Sequence, residues 1–80
     1  MEDQLDQAQA YFEQSLSLNR EVGSPMDTAE TLVEWGILHR LRSEPDQALE
    51  KWKESEHLFE QIDAQRDLDR VRTMIQELTA

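Results

Sequence analysis

One pair of side chains in this sequence has the spacing of a metal site. Glu54 and His57 are three residues apart, so a helix would place them on one face, with Glu50 one turn earlier. Helical bundles that hold two iron ions use two such Glu-x-x-His pairs and two further glutamates. This chain has one pair, and His39 has no glutamate at that offset. We therefore interpret these residues as a solvated acidic helix face, with a carboxylate-and-histidine metal site in a helical bundle as the less favoured alternative.

The remaining reactive residue types do not form a catalytic constellation. Glu34 and His39 are five residues apart on a helix and do not face each other well, so we expect His39 to be a partly buried packing residue. No serine lies in a nucleophile elbow, and two glycines cannot form a phosphate-binding loop. We expect that the chain is not an enzyme and that it needs neither a cofactor nor a metal.

Two tryptophans could suggest a cage for a ligand. Trp35 and Trp52 instead fall on helical stripes together with Leu32 and Ala48, which is typical of core residues. We therefore expect both indole rings to be buried.

The arginines near the end of the chain form its basic cluster. Arg66 and Arg70 are four residues apart and share a helix face, with Arg72 close by. We expect them to form exposed ion pairs with the neighbouring acidic residues, which are Asp63, Asp67 and Asp69. A docking spot for an acidic peptide is the alternative.

The overall charge restricts the possible partners. The 80 residues include 18 acidic and 8 basic ones, which gives a formal net charge of -10. Such a surface repels nucleic acids and anionic membranes, so charged partners should be proteins or peptides with basic patches. The sequence contains no cysteine and no apolar stretch long enough to span a membrane. We expect a cytoplasmic protein with no disulfide.

A 40-residue repeat sets the organisation of the chain. Asp6-Gln7-Ala8 returns as Asp46-Gln47-Ala48, Phe12 returns as Trp52, and Leu18 returns as Leu58. A fixed period of this length is typical of stacked helical arrays, in which each unit packs against its neighbours. The chain is too short to contain more than two copies.

Helical periodicity and three breaks divide the chain into four segments. Gly23 suits the position just after a helix end, with Ser24 capping the next helix and Pro25 at its first position. Pro45 marks the second break, and Asp63 lies in a softer third one. The predicted helices span about 3–22, 25–42, 45–62 and 65–78. Short connections make successive helices antiparallel, so we predict an all-α fold without strands.

With the helices placed in this way, the sequence resembles the tetratricopeptide repeat (TPR) family. The first helix of a repeat corresponds to Ala29-x-x-Leu32-x-x-Trp35-Gly36-x-x-His39, and the second to Pro45-x-x-Ala48-x-x-x-Trp52-x-x-Ser55. The segment Leu5-x-x-Ala8-x-x-x-Phe12-x-x-Ser15 is similar to a second helix alone. The 40-residue period is similar to that of the variants with extended helices, whose usual turn corresponds to Arg20-Glu21-Val22-Gly23.

The resemblance implies one domain over 1–80, a stack of helical hairpins that is a fragment of an α-α superhelix. It contains the second helix of a partial repeat at 3–22, one full repeat at 25–62 and a capping helix at 65–78. Gly36 and Ala48 would be the small residues where the two helices of the repeat cross closely. Because the pattern begins in the middle of a repeat, we expect a C-terminal fragment of a longer array.

In TPR arrays, the first helix of each repeat lines the inner surface. Transferred by position, that face consists here of Glu30, Val33, Ile37, Arg40 and Leu41. Its apolar members lie off the core stripe, so they need either another helix or a bound peptide.

These observations indicate a protein–protein interaction module that binds a peptide or helix on an apolar face, within a larger scaffold or regulatory protein. The first helix carries Ala8, Phe12 and Leu16 on one stripe, with Tyr11, Leu18 and Val22 beside it. If the first helix lacks its packing partner, copies of the chain could pair through it. A homo-oligomerisation module is therefore the main alternative.

Overall fold

A computed structural model describes the backbone of residues 3–80 and the side chains of residues 6–80. The side chain of Leu5, which we placed on the first stripe, lies outside the described residues. Four helices make up the described part of the chain: α1 (Asp3–Glu21), α2 (Pro25–Leu41), α3 (Pro45–Gln61) and α4 (Gln65–Thr79). No strand occurs within residues 3–80. The predicted all-α fold is confirmed, and the predicted helix ends agree to within one residue.

The three connections between the helices share one conformation. In each, the residue two positions after the helix has positive φ: 69° at Gly23, 60° at Ser43 and 59° at Asp63. The next amide donates to a carbonyl five residues back, as from Ser24 to Asn19 (3.0 Å) and from Glu44 to His39 (2.8 Å). These bonds satisfy carbonyl groups that a helix end leaves free. At α2, the Ser24 hydroxyl accepts a bond from the Asp27 amide, as the predicted cap requires.

Ser43 and Asp63 hold a backbone conformation that suits glycine better than a residue with a Cβ. We expect Ser43→Gly to stabilise the protein by about 0.5–1 kcal/mol, because it removes this steric cost. Gly23→Ala, the reverse change at the equivalent turn, should destabilise by a similar amount, although no atom within 4 Å would touch the new Cβ. Urea denaturation followed by circular dichroism measures both, and a destabilised Ser43→Gly variant would contradict the expectation.

Successive helices pack as antiparallel hairpins. Arg42, just after α2, contacts Asp6 near the beginning of α1 (3.4 Å), whereas Asn19 near the end of α1 donates to Thr31 in α2 (3.1 Å). The α2–α3 interface is the most extensive, and α1 and α4 pack mainly on α2 and α3 respectively. The result is a flat body of 40 × 35 × 16 Å.

Helix α2 contributes to two hydrophobic clusters on different sides. On one side, Leu32, Trp35 and Leu38 pack with Leu16 of α1, and Phe12 stacks on Trp35 with ring centroids 6.4 Å apart. On the other side lies a cluster from α2, α3 and α4, which consists of Ala29, Val33, Trp52, Phe59, Leu68 and Val71. Two neighbours therefore explain why α2 is apolar on more than one side.

Gly36 of α2 lies directly against the indole ring of Trp52 on α3. A Cβ at Gly36 would overlap the indole ring of Trp52, so only glycine fits there. The indole Nε1 of the same tryptophan donates to the backbone carbonyl of Val33 at 3.0 Å. Trp52 and Ala48 are both fully buried.

Arg72 attaches α4 to α3 through ion pairs that the spacing of charges along the sequence did not predict. Its guanidinium donates to Glu56 (2.9 Å) and Glu60 (3.2 Å) on α3. These contacts raise the pKa of Arg72 above its ordinary value, with the hydrogen bond to Glu56 as the main cause. The predicted pairing with the adjacent aspartates was wrong, since within residues 6–80 Arg66 and Arg70 form no ion pair and Arg72 reaches across to the next helix.

Candidate partner-binding groove

The predicted inner face divides into covered and open residues. Val33 is 4% exposed and belongs to the cluster around Trp52, and Ile37 packs against that cluster. Their apolar character is therefore explained by α3 and α4. Glu30, Arg40 and Leu41 remain at the surface, with Leu41 67% exposed. The guanidinium carbon of Arg40 lies 5.8 Å from the centroid of the Trp52 ring.

A second apolar surface lies on α1 and is fully open. Tyr11, Leu18 and Val22 are 65%, 59% and 68% exposed, and we call these three residues the α1 stripe. Tyr11 and Leu18 lie along one side of α1, and Val22 lies in the turn directly after the helix. The neighbouring residue Leu16 is buried against α2, and Phe12 is half-buried beside it. The α1 stripe is thus an apolar helix face without a neighbour in the described residues.

The α1 stripe borders a groove between α1 and α2 of about 340 Å³, which we call the α1–α2 groove. Its α1 wall consists of Tyr11, Phe12, Ser15, Leu18 and Asn19. Its α2 wall consists of Asp27, Glu30, Thr31 and Glu34. The hydrogen bond between Asn19 and Thr31 joins the two walls. One wall is therefore mainly aromatic and aliphatic, and the other is acidic.

The three carboxylates of the acidic wall form no ion pair within residues 6–80. Asp27 accepts a bond from the hydroxyl of Ser24, whereas Glu30 and Glu34 take part in no ion pair of the described side chains. On a protein of net charge -10, they produce a negative potential beside the apolar wall. The groove suits a guest that is apolar on one side and basic along the adjacent edge.

Apart from Glu34, which lines the α2 wall, the residues considered for chemistry lie outside this groove. His39 is buried, stacks on Trp35 and bonds through Nδ1 to Glu44 Oε1 at 2.8 Å, so its predicted packing role is confirmed. Glu54 accepts from Arg20 at 2.9 Å, and the His57 ring bonds to Gln61 at 3.2 Å. In the part of the chain that the structure describes, no three acidic or histidine side chains are arranged to hold a metal ion.

A larger depression lies on another part of the surface. It measures about 490 Å³, is lined by α1 residues such as Glu13 and Arg20, and has Trp35 at its floor. The indole Nε1 of Trp35 has no hydrogen-bond partner among the described residues, and the Lys51 ammonium lies 4.4 Å from the ring centroid. The lining of this depression is mainly apolar, but its large apolar residues Leu16 and Trp35 are buried, so we favour the α1–α2 groove, which borders the exposed α1 stripe, as the candidate site.

Sequence reasoning identified the two apolar stripes of the first helix, but it did not place the α2 carboxylates beside them. The available signal was the spacing of Asp27, Glu30 and Glu34, which puts three acids along one side of α2. None of the helices in residues 3–80 has the length and apolar content needed to cross a membrane.

Comparisons with protein-family models, with curated proteins and with solved structures found no match. The candidate site is therefore defined by geometry, burial and charge.

Proposed function

We propose that this chain is a TPR-like protein–protein interaction module that binds an amphipathic helical segment of another protein in the α1–α2 groove. The observation that carries this proposal is the α1 stripe, in which three large apolar side chains, two on α1 and one directly after it, are each more than half exposed. Contiguous exposed apolar surface with a polar rim is typical of interaction sites. Helix-in-groove recognition uses such a stripe together with charges at its edge.

The resemblance to TPR proteins also suggests what kind of larger protein this module belongs to. We propose that it acts by binding rather than by catalysis, as part of a larger cytoplasmic scaffold or regulatory protein. The absence of cysteine is compatible with a reducing compartment. The acidic groove and the net charge of -10 favour a partner with a basic edge.

Selection from a displayed library of helical peptides tests this function. With peptides as long as α2, which has 17 residues, we expect enrichment of amphipathic sequences with lysine or arginine beside an apolar stripe. We expect Leu18→Glu to weaken the selected peptides by about tenfold or more, because a carboxylate would be placed against apolar guest residues. Titration calorimetry with the purified chain measures this change.

Two further variants make that result specific. Gln47→Glu adds the same charge at an exposed site outside the groove and should leave binding unchanged. Leu41→Glu changes the exposed apolar residue of the face that the sequence predicted. If only Leu41→Glu weakens peptide binding, the binding site lies on that face instead of the groove. If the selected peptides bind both Leu18→Glu and Leu41→Glu as tightly as the unmodified chain, the proposal is refuted.

Self-association through α1 is the second candidate function, since the α1 stripe is equally available to another copy of the chain. Two paired copies would bring their acidic walls close together, so the dimer should strengthen as ionic strength rises from about 0.01 to 0.15 M. Sedimentation of the unmodified chain and of Leu18→Glu tests this candidate. A monomer at every concentration and ionic strength would exclude it.

A further inference from the structure

The 40-residue repeat relates the open α1–α2 groove to a site that is filled within the same chain. A shift of 40 residues takes Phe12 to Trp52 and Ser15 to Ser55 on α3, and it takes Thr31 to Val71 on α4. All three of these later residues are at most 1% exposed, whereas Phe12, Ser15 and Thr31 are half-buried. The groove between α1 and α2 therefore corresponds to the site between α3 and α4.

The helix that fills the corresponding site is α2. Its Gly36 lets the indole ring of Trp52 lie against the backbone, and its Val33 carbonyl accepts the bond from Trp52 Nε1. Ala29 and Val33 also share a cluster with Val71 of α4. This interface shows which kind of helix such a groove accepts: one with small or β-branched residues on the buried face and a glycine opposite the aromatic ring.

The charge at the edge of the two sites differs at one position. In the filled site, Asp67 and Arg70 of α4 share a depression of about 200 Å³ with Glu30 and Glu34 of α2. Asp67 corresponds to Asp27, so the acid is present at the edge of both sites. In the open groove, the residue equivalent to Arg70 is Glu30 itself. Suppose that a guest helix lies in the open groove as α2 lies in the filled site. The guest residues at the positions equivalent to Glu30 and Glu34 would then face the acidic wall of the groove.

We infer that the α1–α2 groove binds a basic counterpart of α2: a helix with small residues where α2 has Ala29 and Gly36, and with lysine or arginine where α2 has Glu30 and Glu34. This inference rests on the function proposed above and specifies the partner. The residue types on the buried face of the guest are inferred from the way α2 packs on α3. The basic residues on its exposed edge are inferred from the acidic wall of the groove.

A second copy of the chain fits this description poorly. Its α2 would bring Glu30 and Glu34 toward the acidic wall of the groove. Its α4 carries Asp69, Thr73 and Gln76 at the positions that correspond to Ala29, Val33 and Gly36. Neither of these two helices combines a small-residue face with a basic edge, so a helix of different sequence matches the groove better than either does.

Peptides derived from α2 test the inference directly. The probe is a synthetic peptide of residues 24–42 that carries Glu30→Lys and Glu34→Lys, titrated against the full chain by calorimetry. We expect it to bind about tenfold or more tightly than the unmodified 24–42 peptide. Adding Gly36→Leu to the basic peptide should weaken it by about tenfold or more, because the bulky side chain prevents close approach to Phe12.

The same titration with Leu18→Glu shows where the peptide binds. In the groove, the basic peptide should lose about tenfold or more in affinity for this variant, whereas displacement of the chain's own α2 would not depend on Leu18 in this way. Gln47→Glu provides the matched control. The inference would be overturned if the unmodified peptide bound as tightly as the basic one. It would also be overturned if the basic peptide had the same affinity for Leu18→Glu as for the unmodified chain. Library-selected peptides that still require Leu18 would then leave the proposed function standing.

Discussion

Trp52→Ala is expected to remove about 3–5 kcal/mol from the free energy of unfolding, the largest loss of any substitution considered for this chain. Trp52 is fully buried at the centre of the cluster that joins α2, α3 and α4, and its Nε1 bonds to Val33. Truncation of a buried tryptophan costs about 3–5 kcal/mol. A domain of this length has a total stability of roughly 4–12 kcal/mol, so one substitution removes a large part of it. Urea denaturation followed by circular dichroism measures the loss.

Phe12→Ala is the matched control, because Phe12 is the residue 40 positions before Trp52. It is half-buried and contacts α2 on one side, so its truncation should cost about 1–2 kcal/mol. Trp52→Phe retains most of the apolar area and removes the bond to Val33, for an intermediate loss of about 1–2 kcal/mol. If Phe12→Ala and Trp52→Ala lowered the free energy of unfolding equally, the cluster around Trp52 would not be the main source of stability.

Gly36→Ala is expected to destabilise the protein, although alanine is the better helix former. The intrinsic preference favours alanine by about 1 kcal/mol within a helix. The new methyl group, however, would overlap the indole ring of Trp52, which is fixed by its bond to Val33 and by complete burial. Overpacking of a tight core costs about 1–3 kcal/mol and sometimes more, so we expect a net loss of about 2 kcal/mol.

The equivalent position in α4 makes this prediction specific. Gln76 lies 40 residues after Gly36 and is exposed, so Gln76→Ala should change the free energy of unfolding by no more than about 0.5 kcal/mol. Chemical denaturation of both variants gives the comparison. A Gly36→Ala variant that is more stable than the parent chain would mean that α2 and α3 do not approach as closely as described.

Local residue types were enough to predict the helices and their closest crossing. Gly23 and Pro45 identified two of the turns, and the repeat located the third at Asp63, where no glycine signals it. Gly36 identified a close contact between α2 and α3, because a residue without a side chain leaves room there for the Trp52 ring. These features depend on neighbours in sequence or on backbone sterics, which can be evaluated without knowing the packing of the whole chain.

Features that depend on the relative placement of helices were harder to predict. Periodicity showed that Val33 and Ile37 form an apolar stripe, but a stripe has the same pattern whether a helix or a partner covers it. The ion pairs of Arg72 cross to α3 instead of joining residues nearby in sequence. The acidic wall of the groove lies beside α1 because of how the first two helices pack, and no residue type alone determines that packing.

The order of helix packing also determines how stability is distributed. Because the helices pack chiefly on their neighbours along the chain, the free energy of unfolding is close to a sum over adjacent helix pairs rather than one all-or-none quantity. The central α2–α3 hairpin contributes most to this sum, and α1 has only one extensive interface. Local opening of α1 can therefore occur while the rest of the chain keeps its structure, and a guest that bridges α1 and α2 would suppress that opening and protect the amide hydrogens of α1 from exchange.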